Sequence, residues 1–320
     1  MPSDPGLSGD TCIYSEAVSG DGGNHNPSST WWLSPDISLT GPVSGPDKAD
    51  PGMVNTCQVT FHRKSATSQC TFPGAESLTV ELWVGNPSLV MTPNNPASAV
   101  RIDYMGAPLP LQGATGTQIV EWTPPTGLPP SDPQGPGHKC LIARVYPDNL
   151  TPSDTQFYLP DDQHVVQRNI CVVPCGSSDS EVKQCNFTVT TVNPDAKNAQ
   201  KVKVTATQDL EPSDHVKETV LRALKTTTAT GGLSLRPANG FGLELNDFPE
   251  AVISGGGPGG WEAAISMEPG QLSRFNFFAD LSGASSGDAY IFHLSQSAAD
   301  GRVQGGLTIV MVASSDDAKS

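Results

Sequence analysis

The sequence predicts an all-β protein made of two β-sandwiches joined by a short linker, with one short helix in the second. Three observations carry this. Apolar and polar residues alternate through many short runs, which is the period of a half-buried strand. Gly (32) and Pro (29) punctuate the connections between those runs, as turns require. Only the stretch 214–225 shows the spacing of an amphipathic helix. A chain of 320 residues is long enough for two ordinary domains. The expected divisions are a turn-rich segment 1–29, a sandwich over 30–173, a linker 174–184, a second sandwich over 185–314 and a polar tail 315–320.

Composition narrows the function. Acidic residues number 33 against 18 basic ones, a net charge of −15. Such a chain repels nucleic acid and anionic membranes, so neither is an expected partner. No run of 18 apolar residues occurs, so no membrane-spanning helix is expected. The opening MPSDPGLSGDTC has neither the basic nor the apolar part of a secretory signal. Seven cysteines stand at 12, 57, 70, 140, 171, 175 and 185 without a zinc-type pairing of spacings. Disulfides and an oxidising, extracellular location are favoured over buried thiols, and the odd number leaves at least one unpaired within the chain. Asn149-Leu150-Thr151 and Asn186-Phe187-Thr188 are formal glycosylation sequons.

Taken in order, residues 1–29 are mostly turn formers, apart from 12–18, a candidate edge strand. The loop at 21–26, beginning at Asp21, has calcium-binding residue types but lacks the EF-hand spacing and its distal Glu. A solvated loop is the ordinary reading and calcium the alternative; no other cofactor is expected. Trp31 and Trp32 are adjacent, so in a strand they cannot both face inward. One is expected to cap the core; with Trp122 and Trp261 they are also the rings that would stack on a sugar. Ile37 and Leu39 alternate with Asp36 and Ser38. Cys57, Val59 and Phe61 alternate with Gln58, Thr60 and His62, and Leu78, Val80, Leu82 and Val84 with Thr79, Glu81 and Trp83. Shorter β-runs at 99–104 and 118–122 follow. A last hairpin pairs 140–146 with 164–173 around a polar segment.

The strings SPDI, VELWVGNPS, EWTPP, HKCLIARVYPD and HVVQRNICVV, in that order, resemble bacterial surface and secreted proteins with CARDB-type immunoglobulin-like domains. (CARDB stands for cell-adhesion-related domain found in bacteria.) The likeness covers 30–173. The loops at 41–52 and 125–138 are long, and no tandem copy of the unit follows. The resemblance implies an adhesive or spacer module without an active site. Immunoglobulin domains also tie an early strand to a late one by a disulfide, with a Trp between. Cys57 and Cys140 hold those places, with Trp83 between them. Face parity is divided, because Leu141, Ala143 and Val145 make the stronger apolar face opposite Cys140. Cys140 is expected in a disulfide, with Cys57 slightly ahead of Cys70 as its partner.

PCGSSDSE, from 174, reads as the linker, stiffened by a Cys175–Cys185 bridge unless Cys171 takes one of the pair. Strands are expected at 186–192 and 201–207. The helix follows, with Asp214 as N-cap and Val216, Val220 and Leu224 on its buried face. Six further strands are expected at 232–235, 241–245, 261–267, 273–281, 289–294 and 305–313. Gly287-Asp288-Ala289-Tyr290 resembles the tyrosine corner of immunoglobulin-like folds, so this half is also expected to be immunoglobulin-like.

Catalytic signatures are missing. H-E-x-x-H does not occur, and the glycine run 255–260 lacks the Lys-Ser/Thr of a phosphate loop. Asp161, Asp162 and His164 offer metal-type ligands, although a turn entering a strand explains the same residues. The expectation is a non-enzymatic structural or adhesive protein in a larger extracellular assembly, binding protein partners or its own copies. A carbohydrate-binding sandwich is the alternative, and a hydrolase with a loop-borne site near His164 the third reading.

Overall fold

The structure, a computed structural model, describes residues 4–25, 30–177, 184–224, 234–245, 248, 250–257 and 260–315. Parts of the expected linker, helix end, glycine run and tail (178–183, 225, 258–259 and 316–320) lie outside the described residues. The chain is all-β with one helix among the described residues. It divides into two compact units. Unit 1 is Met1–Asn86 with Met91–Asn169, and unit 2 is Pro87–Val90 with Ile170–Ser320.

Unit 1 holds β1 (Ile13–Tyr14), β2 (Ile37–Gly41), β3 (Gly45–Pro46), β4 (Lys48–Ala49), β5 (Asn55–Arg63), β6 (Ser77–Gly85), β7 (Val100–Pro108), β8 (Thr115–Trp122), β9 (Gly137–His138), β10 (Cys140–Pro147) and β11 (Val165–Arg168). One sheet runs β1-β5-β2-β3 with β8 on the other side of β5, a second runs β11-β10-β6-β7, and β4 pairs β9. In β5 the alternation works as read: Cys57, Val59 and Phe61 are buried while Thr56 and Gln58 are exposed. In β6 and β10 almost every residue is buried on both faces. Leu78, Val80, Leu82 and Val84 share one face with Leu141, Ala143 and Val145 across the ladder. The opposite face, with Glu81, Trp83, Cys140, Ile142, Arg144 and Tyr146, is covered by the 148–164 connection and by the segment before β1. The turn-rich segment before β1 is thus packed within this unit. Gly6 lies so close to the connection that a Cβ on it would stand 1.8 Å from the Thr151 carbonyl oxygen.

Unit 2 holds β12 (Ile170–Ser177), β13 (Gln184–Val192), β14 (Gln200–Gln208), α1 (Asp214–Leu224), β15 (Ser234–Leu235), β16 (Gly240–Glu244), β17 (Val252–Gly257), β18 (Gly260–Met267), β19 (Leu272–Asp280), β20 (Asp288–Ala298) and β21 (Val303–Ser315). The larger sheet runs β12-β21-β20-β14-β18-β17, with β15 beside β20; the smaller runs β13-β19-β16. β12 pairs β21 in parallel over eight residues. Residues 174–177, expected in the linker, are thus the end of a strand. In α1 the N-cap is Ser213 rather than Asp214: the Val216 N–H donates to Ser213 Oγ at 3.3 Å. Asp214 stands in the first turn instead, where its charge suits the helix dipole. Val216, Val220 and Leu224 are buried, as the periodicity predicted.

The expected Cys57–Cys140 bridge is absent. Cys12 bonds Cys70 and Cys175 bonds Cys185, while Cys57, Cys140 and Cys171 are buried thiols outside both bridges. Parity is the reason. Cys57 shares the buried face of β5, whereas Cys140 faces the other way on β10, into a cluster with Trp83, Ile142 and Phe157. Its Sγ accepts a hydrogen bond from Gln167 Nε2 at 3.1 Å. Burial pushes the thiols of Cys57 and Cys140 up to about 12, so neither is a ready nucleophile.

Candidate functional site

A gathering of buried ionisable groups lies on the covered face of β6 and β10. Glu81 on β6 and Arg144 on β10 are directly opposite in the ladder. Arg144 Nε and Nη2 donate to Glu81 Oε2 at 2.8 and 2.5 Å. The other carboxylate oxygen, Oε1, accepts from Tyr146 Oη at 3.1 Å and Arg101 Nη1 at 3.3 Å. Burial first, then the Glu81 charge, pushes the Tyr146 phenol well above its ordinary value. Arg144 Nη1 donates to the Ser153 carbonyl at 2.7 Å and lies 3.8 Å from Asp4 Oδ2.

Asp4 extends this network into a second one. Its N–H donates to Asp162 Oδ2 at 2.8 Å. Asp162 Oδ1 accepts from the His164 N–H at 2.9 Å and from His164 Nδ1 at 2.7 Å. His164 Nε2 lies 3.1 Å from Asp10 Oδ2. Asp10 in turn caps the start of β1, accepting from the N–H groups of Cys12 at 2.8 Å and Ile13 at 3.2 Å. Burial alone would lower the His164 pKa. The hydrogen bonds to Asp10 and Asp162 and their charges outweigh it and hold the ring up at about 9. Burial likewise works against ionised Asp162, but the His164 contacts win and keep it below the usual carboxylate range. The ring is therefore an imidazolium at neutral pH, between two carboxylates.

Asp162 and His164, read with Asp161 as weak metal-ligand candidates, are joined by a hydrogen bond instead. Asp4 and Asp10 join them from the segment before β1, where no sequence signal pointed to this site. Glu81 and Arg144 had a signal. Each is a lone charge within an apolar run, LTVELWV and LIARVY, and a buried charge requires an opposite partner. As a metal site the cluster is poor, since the oxygens and both ring nitrogens already serve each other. Among the described residues no group of three or more His, Cys, Asp and Glu side chains is arranged for a metal ion. Asp161 belongs to the turn leading in, its N–H donating to the Tyr158 carbonyl at 2.9 Å. Asp21 lies elsewhere and closes its own turn, Oδ2 accepting from Ala17 and Val18 and Oδ1 from Gly23.

As a catalytic site the cluster is sealed. The side chains of Asp10, Asp162 and His164 are 0–3% exposed, so no substrate reaches them. Among the described residues two hydroxyl–imidazole–carboxylate rows occur as well. His62 joins Thr115 Oγ1 and Asp36 Oδ2, both at 3.0 Å. His293 joins Thr308 Oγ1 at 2.9 Å and Asp209 Oδ2 at 3.0 Å. In each row the His and the Thr are directly opposite on adjacent antiparallel strands. The contact is what such a cross-strand pair makes at its normal spacing, and each unit contains one. The four tryptophans considered for sugar stacking, Trp31, Trp32, Trp122 and Trp261, are each 7% exposed or less. Trp31 and Trp32 pack edge to face, with ring centroids 5.6 Å apart. None offers a ring face to a ligand.

No family model matches the chain, the CARDB type included, and no curated protein matches it. Solved structures with some likeness include the collagen adhesin from S. aureus, at 9% identity and a TM-score of 0.25 over 87% of this chain and 92% of that one. The adhesive subunit of the CFA/I fimbria of enterotoxigenic Escherichia coli is similar at 8% identity and a TM-score of 0.24, over 96% and 94%. A lectin from Pleurotus ostreatus is similar at 13% identity and a TM-score of 0.19, over 94% and 85%.

Proposed function

We propose that the protein is a non-enzymatic structural or adhesive module of two β-domains that works outside the cell, binding a protein partner or further copies of itself. The observation that carries this is the use of the converging ionisable side chains. In the Asp4–Asp162–His164–Asp10 and Glu81–Arg144 groups each charged side chain is engaged by another part of the fold. The chemistry they offer is spent on fastening loops to sheets. Two disulfides, one fixing the segment before β1, support an oxidising compartment. Among the described residues no helix is long and apolar enough to cross a membrane. The tryptophan-based carbohydrate reading loses its support with the burial of the rings.

Light scattering behind size-exclusion chromatography, together with retention on candidate surfaces, tests the proposal. Concentration-dependent assembly or specific retention is expected. A strict monomer at high concentration, held by no partner or surface, would sink it.

A further inference from the structure

The connection between β6 and β7 contains a short piece, Pro87–Val90, that belongs to unit 2. It meets β13 at one residue, Ser88, between bends at Pro87 and Leu89. The Leu89 N–H donates to the Thr190 carbonyl at 2.9 Å, and the Thr190 N–H donates to the Pro87 carbonyl at 3.0 Å. The Thr190 hydroxyl donates to that same carbonyl at 3.0 Å. Ser88 and Thr190 form a parallel bridge. Among the described residues β13 is terminal in its sheet, with β19 on its other side, so the segment adds to an edge that no full strand covers. Leu89 and Val90 are buried in the apolar core of unit 2. Gly305 of β21 makes the room: a Cβ there would stand 1.7 Å from the Leu89 carbonyl oxygen and 3.2 Å from the Val90 Cα. The next residue, Met91, is buried in the apolar cluster of unit 1.

We infer that unit 2 carries a strand-addition groove, bounded by the edge of β13 and by Gly305, for a short segment that pairs through one residue and inserts two consecutive apolar side chains. The chain fills the groove with its own Pro87–Val90, and the same segment of a second copy fits it in trans. Strand addition requires backbone groups to pair with, apolar room for side chains and a feature that fixes register. The Thr190 backbone supplies the first, the core around Leu89 and Val90 the second, and the side-chain bond from Thr190 to Pro87 the third. Exchange between cis and trans occupancy conserves every contact and changes only connectivity, the condition for domain swapping. The inference does not depend on the functional proposal above.

The test uses the full chain and a fluorescent peptide of residues 85–92, GNPSLVMT. Leu89→Asp disfavours cis occupancy because it buries an unpaired carboxylate. This variant is expected to bind the peptide at least ~10-fold more tightly than the wild type, whose groove is occupied. Adding Gly305→Val should remove that binding. Equal peptide binding by wild type and Leu89→Asp, or binding that survives Gly305→Val, overturns the inference. Should Leu89→Asp not fold, hydrogen exchange on the wild type decides. The Leu89 and Thr190 amides should exchange as slowly as the β13–β19 ladder, and fast exchange at both overturns the groove.

Discussion

The two units solve burial in different ways. Unit 1 covers one face of β6 and β10 with irregular chain, and beneath it buries Glu81, Arg144, Asp4, Asp10, Asp162 and His164. It buries a further pair, Arg168 and Asp47, whose guanidinium and carboxylate meet at 2.6 and 3.0 Å. Unit 2 fills its centre with rings instead. Phe277 and Phe292 pack at 5.0 Å between centroids, Phe241 and Phe292 at 5.1 Å, and Phe248 and Phe275 at 5.7 Å. A ring core loses stability by degrees when a side chain is trimmed, because the void can partly collapse. A charge network does not, since removing one member leaves its partner ionised, dry and alone. Loops without regular structure can be fastened by the second method, which is where unit 1 uses it.

A pair of substitutions removes the anchor that each unit relies on. Arg144→Met should cost unit 1 about 3 kcal/mol by leaving the buried Glu81 with the half-exposed Arg101 as its remaining cation. Phe277→Ala should cost unit 2 a similar ~3–5 kcal/mol through its cavity. Urea unfolding followed by tryptophan fluorescence separates the units, because Trp261 is the one tryptophan of the five in unit 2. If Arg144→Met moves the unit 1 transition by less than ~1 kcal/mol, the network is not what fastens the loops.

The disulfides come next. The Cys12–Cys70 bridge spans 58 residues and the Cys175–Cys185 bridge spans 10. Chain entropy then gives about 4 kcal/mol for the first and about 3 kcal/mol for the second. Paired Cys→Ser variants, melted separately, should show the larger loss in unit 1.

Alkaline pH gives a comparable or smaller effect. The folded His164 titrates at about 9 against an ordinary 6.5. Its stabilisation of unit 1 is complete below 6.5 and is lost as pH rises through 9, up to about 3 kcal/mol in all. Asp162, held below its ordinary range, contributes in the opposite direction: its share is present above pH 3.8 and is lost on acidification. The urea midpoint of unit 1 should therefore fall between pH 6.5 and 10, and His164→Gln should flatten that fall. The smallest effect belongs to Tyr104→Ser on β7. That ring is 58% exposed, and its loss should stay within ~0.5 kcal/mol by thermal melting.

Fold class was legible because strand periodicity is local. Cys57, Val59 and Phe61 announce a half-buried β5 without any knowledge of its neighbours. The covered face of β6 and β10 was not legible, because it depends on where distant chain lies. Trp83 and Cys140 face away from Leu82 and Leu141, which reads as outward, yet both are buried under the 148–164 connection. The same ignorance misplaced the disulfide: Cys12 opens the short 12–18 run and Cys70 lies in a loop 58 residues on, so their pairing had no local sign. Of the network, Asp162 and His164 were visible from proximity in sequence. Glu81 with Arg144 needed the register of the ladder, and Asp4 with Asp10 needed the tertiary fold. Pro87–Val90 carries no periodicity at all, since four residues are too few to show one.

The parallel pairing of β12 with β21 has a mechanical consequence. The chain enters β12 at Ile170 and leaves β21 at Ser315, and the two strands run side by side in the same direction. A pull applied to those two points in opposite directions drags the strands past each other along their length. The ladder is then loaded in shear, with its eight residue pairs sharing the force, whereas an antiparallel pair joined at a hairpin and pulled from its open end parts one bond at a time. Tension along the chain therefore meets unit 2 in its resistant direction.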